Sequence, residues 1–89
     1  MVITFDPLKD KLNRRKHGIS LRRAADLDWQ AALIWPDERN DYREDRYSGL
    51  GILAGRLYCV VFVERDNGLR IVSLRKANRR EVVRYEKQT

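Results

Sequence analysis

Hydrophobic and polar positions follow two periods along this chain, helical before about Leu33 and strand-like after it. A short extended start, Val2 to Phe5, leads into Asp6-Pro7. There an Asp side chain can cap free amides and Pro suits the first helical position, so a helix is predicted from Pro7 to about His17. Gly18 can take the left-handed turn that closes this helix, Ile19 can pack back over it, and Ser20 is placed to cap a second one. In that second helix Leu21, Ala24, Ala25, Trp29 and Ala32 make an apolar stripe, while Arg22, Arg23 and Asp26 face water.

After Leu33 the pattern changes. Leu33-Ile34-Trp35 ends at Pro36, and Asp37 to Asp45 is polar and turn-like. Tyr47 to Leu53 suits a strand with glycines on one face, and Ala54-Gly55 a hairpin turn. Leu57 to Val63 is apolar on both faces, as in a central strand covered on each side. Asp66-Asn67-Gly68 signals another hairpin, with Leu69 to Arg75 as its partner strand. Asn78, three residues before Glu81, forms a capping-box arrangement that opens a final helix to about Lys87. The expected fold is α+β: two N-terminal helices after a short strand, an antiparallel sheet of three to four strands, and a C-terminal helix.

With 89 residues, 43% of them hydrophobic and no linker or repeat, residues 1–89 form one domain. Nineteen Lys and Arg against thirteen Asp and Glu leave a net charge of +6. That points to a polyanionic partner, nucleic acid ahead of an anionic membrane. The charge is blocked: residues 1–23 carry +5, 24–48 carry −4, 49–68 are neutral, and 69–89 carry +5. A lone Cys59 excludes an internal disulfide and fits a reducing compartment. The longest apolar run, Leu57 to Val63, is too short to span a bilayer, and the start MVITFDPLKDKL lacks a signal-peptide core. A cytoplasmic protein with no membrane partner is expected.

The richest segment is Arg70 to Tyr85, RIVSLRKANRREVVRY. Alternation sends Arg75 and Lys76 to opposite faces at the strand's end, while Arg80, Arg84 and Lys87 share a helix face. Guanidinium groups gathered there suit an RNA phosphate and the charge of a phosphorane. A solvated basic face or a docking patch for an acidic partner accounts for the spacing equally well. His17 is the only histidine and the natural candidate for proton transfer near neutral pH, although the last turn of a helix also favours it simply as a cation. Glu64, ending the central strand, suits a general base or an ion pair with Arg65 or Arg70. Tyr85 suits a phosphate hydrogen bond or an anchor for the last helix. The acidic stretch Asp37, Glu38, Asp41, Glu44 and Asp45 matches no metal-loop spacing and is interrupted by Arg39 and Arg43. With one Cys and one His, no zinc set can form. No metal and no cofactor are expected.

Four blocks of the chain resemble the BrnT family of bacterial type II toxins. FDPLKDKLNRRKHGIS is similar to the family's Asp-Pro helix closing on Lys16, His17 and Gly18. Glu44, Arg46, Tyr47 and Gly51 are similar to its Glu-x-Arg-aromatic strand, the central strand ending in Glu64 is similar too, and RIVSLRKANRREVVRYE resembles its most specific signature. The resemblance implies a RelE-like ribonuclease fold that cuts mRNA without metal and stops translation. It also implies a BrnA-type ribbon-helix-helix antitoxin, through which alone operator DNA would be contacted. One departure is Ser20-Leu21-Arg22-Arg23, where members commonly carry acidic residues after the serine. On this reading Arg75, Lys76, Arg79 and Arg80 serve substrate phosphate and transition-state charge, His17 and Glu64 move protons, and Tyr85 assists. Arg70, Arg84 and Lys87 bind RNA. The alternative is a basic module that binds RNA or the ribosome without chemistry, or a degenerate toxin kept for regulation.

Overall fold

A computed structural model describes residues 2–37, 45–65 and 67–88. The elements are β1 (Ile3–Phe5), α1 (Pro7–His17), a 3₁₀ helix (Leu21–Asp26), β2 (Leu33–Pro36), β3 (Arg46–Leu53), β4 (Arg56–Arg65), β5 (Gly68–Lys76) and α2 (Arg79–Gln88). They form a five-stranded sheet ordered β1-β5-β4-β3-β2. β2 to β5 are antiparallel, whereas β1 joins β5 in parallel, Ile3 beside Leu69 and Phe5 beside Ile71. The short first strand and four antiparallel ones agree with expectation; that β1 joins them as a fifth, parallel strand was not expected, because it pairs only with a partner far along the chain.

α1 forms where the capping logic places it. The Asp6 carboxylate accepts the Leu8 amide at 2.9 Å, Pro7 opens the helix, and Gly18 closes it at φ 72° while its amide returns to the Arg14 carbonyl. The second helix is corrected to one short 3₁₀ segment ending at Asp26. Leu27 is extended, the Asp28 amide pairs with the Ile52 carbonyl at 2.9 Å, and the Trp29 indole donates to the Ala24 carbonyl at 2.9 Å. The apolar stripe is real, but Trp29 and Ala32 reach the core from a loop. There Trp29 meets Phe62 edge to face.

The sheet buries both faces of β4. On one, Leu21, Ala24, Leu27, Leu53, Val60, Phe62, Ile71 and Leu74 form the main core. On the other, Val82 and Tyr85 of α2 pack over Leu50, Leu57 and Cys59. Beyond Ile71 the outer edge of β5 has outrun β1, and Asn13 of α1 takes over the missing strand's role. Its side-chain amide donates to the Leu74 carbonyl at 2.8 Å and accepts the Leu74 amide at 3.2 Å, and it also donates to the Ile19 carbonyl at 2.9 Å. That satisfies edge backbone that would otherwise be left open.

Candidate functional site

α2 covers only part of its sheet face. The cross-strand row Leu33–Leu50–Cys59–Arg75 carries the α2 contact, and the next row, Trp35–Ser48–Val61–Ser73, floors a groove of 570 Å³. Trp35, Pro36 and Asp37 wall it at the β2 side, Arg75 and Glu81 at the other.

Strand alternation aims Arg75 at this face, and the start of α2 fixes where its guanidinium lies. Two of its nitrogens donate to the two Glu81 oxygens at 2.8 and 2.9 Å. Glu81 in turn accepts the Asn78 backbone amide at 2.9 Å, and the Asn78 side chain accepts the Glu81 amide at 2.8 Å, completing the reciprocal capping box. The hydrogen bonds from Arg75 hold the Glu81 carboxyl below its ordinary pKa against the opposing effect of burial, with further help from Asn78 and the Cys59 thiol. The pair is part-buried, with side chains 33% and 17% exposed, so the fork is a fixed feature of the groove's lip.

His17 lies in a separate hollow of 230 Å³ between α1 and β5, lined by Lys9, Leu12, Asn13, Lys16, Val72 and Ser73. Ser73 lines both this hollow and the groove. Burial, then Lys16 and Arg75, push the imidazole below its ordinary pKa, so it is neutral at pH 7. Desolvation and these two cations oppose the cationic form that the helix C-terminus favours.

The other sequence candidates separate. Lys76 points to the opposite face, paired beside Tyr58. Arg79 and Arg80 are exposed in the first turn of α2, where the helix dipole disfavours cations. Arg84 lies 3.9 Å over the Trp35 ring, and Lys87 is exposed near the helix end. Tyr85 packs against the Leu50–Cys59 cluster and donates to the Ala31 carbonyl at 3.3 Å, which makes it an anchor. Arg70 shares the groove face only because Val72 is an extra residue in β5: Val61 pairs with Ser73 but Phe62 with Ile71, which turns Arg70 beside Val63. Glu64 is not brought to the cluster. It pairs with Leu69, on the face opposite Cys59 and Arg75, five residues along β4 or about 17 Å at ~3.4 Å per residue.

Glu38, Asp41, Glu44, Arg39 and Arg43 lie outside the described residues, as does Asp66 of the second hairpin. Among the described residues no group of three or more His, Cys, Asp or Glu is gathered. Sequence reasoning missed Glu81 as the partner of Arg75, Asp37 as a groove wall, Ser48 and Ser73 as its floor, and Asn13 as the edge brace. For Glu81 a signal existed, since a capping-box glutamate six residues past a strand-end arginine has an oxygen to spare.

The family model for the BrnT ribonuclease toxin of type II toxin–antitoxin systems matches residues 5–81, and the chain belongs to that family. No curated protein matches it. Membership makes this a ribonuclease toxin with an RNA substrate and an antitoxin partner. The matched span takes in His17, Arg75 and Glu81 and ends before Arg84, Tyr85 and Lys87. No helix among the described residues is long and apolar enough to cross a membrane.

Proposed function

We propose that this toxin cuts mRNA by attack of a ribose 2′-hydroxyl on the adjacent phosphate at the groove beside Arg75, and thereby stops translation. The observation that carries this reading is the Arg75 fork, fixed by Glu81 at the groove's lip, with Ser73 lining both that groove and the hollow that holds His17. The imidazole takes the 2′ proton. O2′ bonds to phosphorus as the P–O5′ bond breaks, and solvent at the open groove protonates the departing oxygen. The fragments carry a 2′,3′-cyclic phosphate and a 5′-hydroxyl, and the route asks for no metal. Arg75, with the exposed Arg79 and Arg80, offsets charge on the phosphorane, while Arg70, Arg84 and Lys87 hold flanking backbone, and Lys76, on the opposite face, receives no role in this scheme. Glu64 and Tyr85 receive no role in this scheme, given where they sit.

A sheet with helices packed on it supports assignment to the RelE-like fold. The antitoxin is a BrnA-type ribbon-helix-helix protein whose acidic segment occupies the same cations, and operator DNA is contacted only through it; the setting is the cytoplasm. One observation favours a binding module without chemistry: Glu81 already neutralises Arg75. Incubating the antitoxin-free chain with a defined RNA in EDTA separates the two. Fragments ending in 2′,3′-cyclic phosphate are expected. Loss of cleavage in EDTA contradicts the metal-free route, and RNA left intact with metal and with ribosomes contradicts catalysis.

A further inference from the structure

One face of α1 is used neither by the sheet nor by the cleavage scheme. At about 100° per residue Asp10, Asn13 and His17 fall on one side of the helix, and that side is turned inward: Asn13 bonds to Leu74, and Asp10 accepts from the Ser20 hydroxyl and the Leu21 amide. Leu8 and Leu12, one turn apart, fall on the opposite side and are 64% and 53% exposed. Single apolar side chains on a surface are ordinary, but this pair is bordered on both flanks by exposed cations, Lys9 and Lys16 on one and Lys11 and Arg15 on the other. Arg14 is paired with Asp10 at 3.3 Å, whereas none of those four makes an ion pair with another described residue. Leu12, Lys9 and Lys16 also line the 230 Å³ hollow beside α1, with Val72 of β5 as a second apolar wall. The surface therefore offers an apolar seat between two rows of positive charge.

We propose that this face of α1 is a docking site for the antitoxin. The partner contributes a segment with a large apolar side chain for the seat made by Leu8, Leu12 and the hollow, flanked by carboxylates that meet Lys9, Lys11 and Lys16. Charge and polarity together decide the occupant. RNA would satisfy the cations, but its bases stack on aromatic and guanidinium planes and leave the leucines bare. A two-fold pair of this chain would set the same cations against each other. An acidic amphipathic segment satisfies both, its charges steering the encounter and its buried apolar side chain supplying most of the affinity. The anchor lies outside the Arg75 groove, so it holds the partner in place while an acidic segment occupies the groove's cations, and it covers the hollow that holds His17. The inference rests on the antitoxin partner that family membership brings, and not on the cleavage scheme.

The test is titration of the antitoxin-free chain with its purified antitoxin, read by calorimetry and by amide NMR shifts, neither of which needs turnover. Leu8→Ser and Leu12→Ser combined are expected to weaken binding at least about tenfold and to leave RNA cleavage unchanged. Lys9→Glu with Lys11→Glu should weaken binding too and flatten its dependence on salt, which the serine variant retains. Shifts in the unmodified chain should include α1 and Val72. Undiminished affinity in the serine variant, or an α1 without shifts, overturns the docking face and leaves the antitoxin as partner; an unmodified chain that binds no antitoxin overturns both. Weaker RNA binding in the serine variant at unchanged antitoxin affinity assigns the face to RNA, and a dimer of the unmodified chain that the serine changes dissociate assigns it to a second copy. Either of these also overturns the proposal.

Discussion

The Arg75 guanidinium meets the Glu81 carboxylate through two parallel hydrogen bonds, 2.8 and 2.9 Å, and the same carboxylate caps α2 through the Asn78 amide. A strand end, a helix start and the lip of the groove therefore share one side chain. Glu81→Ala removes the cap and the fork together and is expected to cost about 1–3 kcal/mol in denaturant unfolding. Glu81→Gln, which can still reach the Asn78 amide, should lose less. Equal loss in both variants would show that the charge, not the cap, holds α2.

The same pair sets an acid limit. Because folding lowers the Glu81 pKa, chiefly through the Arg75 hydrogen bonds, its contribution is complete above the ordinary value of about 4.3 and is lost as pH falls below it. Stability measured by urea unfolding should fall between about pH 4.3 and lower values, and Glu81→Gln should flatten that part of the profile. An unchanged slope would deny the pair this role.

His17 titrates in a different window. Folding lowers its pKa, so the unfolded chain takes up the proton first. Stability is complete above about pH 6.5 and declines as pH falls through the folded value. The imidazole Hε1 shift should titrate with a midpoint below 6.5. A midpoint between about 6.5 and 7 would deny the effect of burial and the neighbouring cations, and one above 7 would mean mainly a cation at pH 7 and remove His17 as the base that accepts the 2′ proton.

Asn13 braces the sheet edge from α1. It is 6% exposed and serves both backbone groups of Leu74, so Asn13→Ala should cost about 1–3 kcal/mol by leaving them unpaired. Hydrogen exchange at the Leu74 amide should rise with it. Unchanged protection would mean that water or another group already satisfies the edge.

Much of the fold was legible because its signals are local. The Asp6-Pro7 cap, the Gly18 turn, both hairpins and the Asn78 box each need only neighbours a few residues away. The 3₁₀ segment was not legible, because what ends it is the Asp28 bond to Ile52 on another strand. Gly51 belongs to the same contact: a Cβ there would meet the Leu27 side chain at 2.5 Å, so any other residue at 51 would force Leu27 to shift where the loop lies on the sheet. The site was half legible. Residue type and alternation find Arg75, yet no periodicity shows that Glu81 holds it, or that the extra residue Val72 turns Arg70 to the same face. Glu64 illustrates the converse, since its chemistry suits a base while its strand position sets it on the far face.

The most direct test compares single-turnover RNA cleavage by Arg75→Ala and Glu81→Ala, both of which break the same ion pair. If Arg75 meets the reacting phosphate, Arg75→Ala should lose about 10²-fold or more in rate while Glu81→Ala stays within about tenfold of the unmodified chain. Equal losses in the two variants, or an Arg75→Ala chain that cleaves at the unmodified rate, would contradict the placement of Arg75 at the centre of the site.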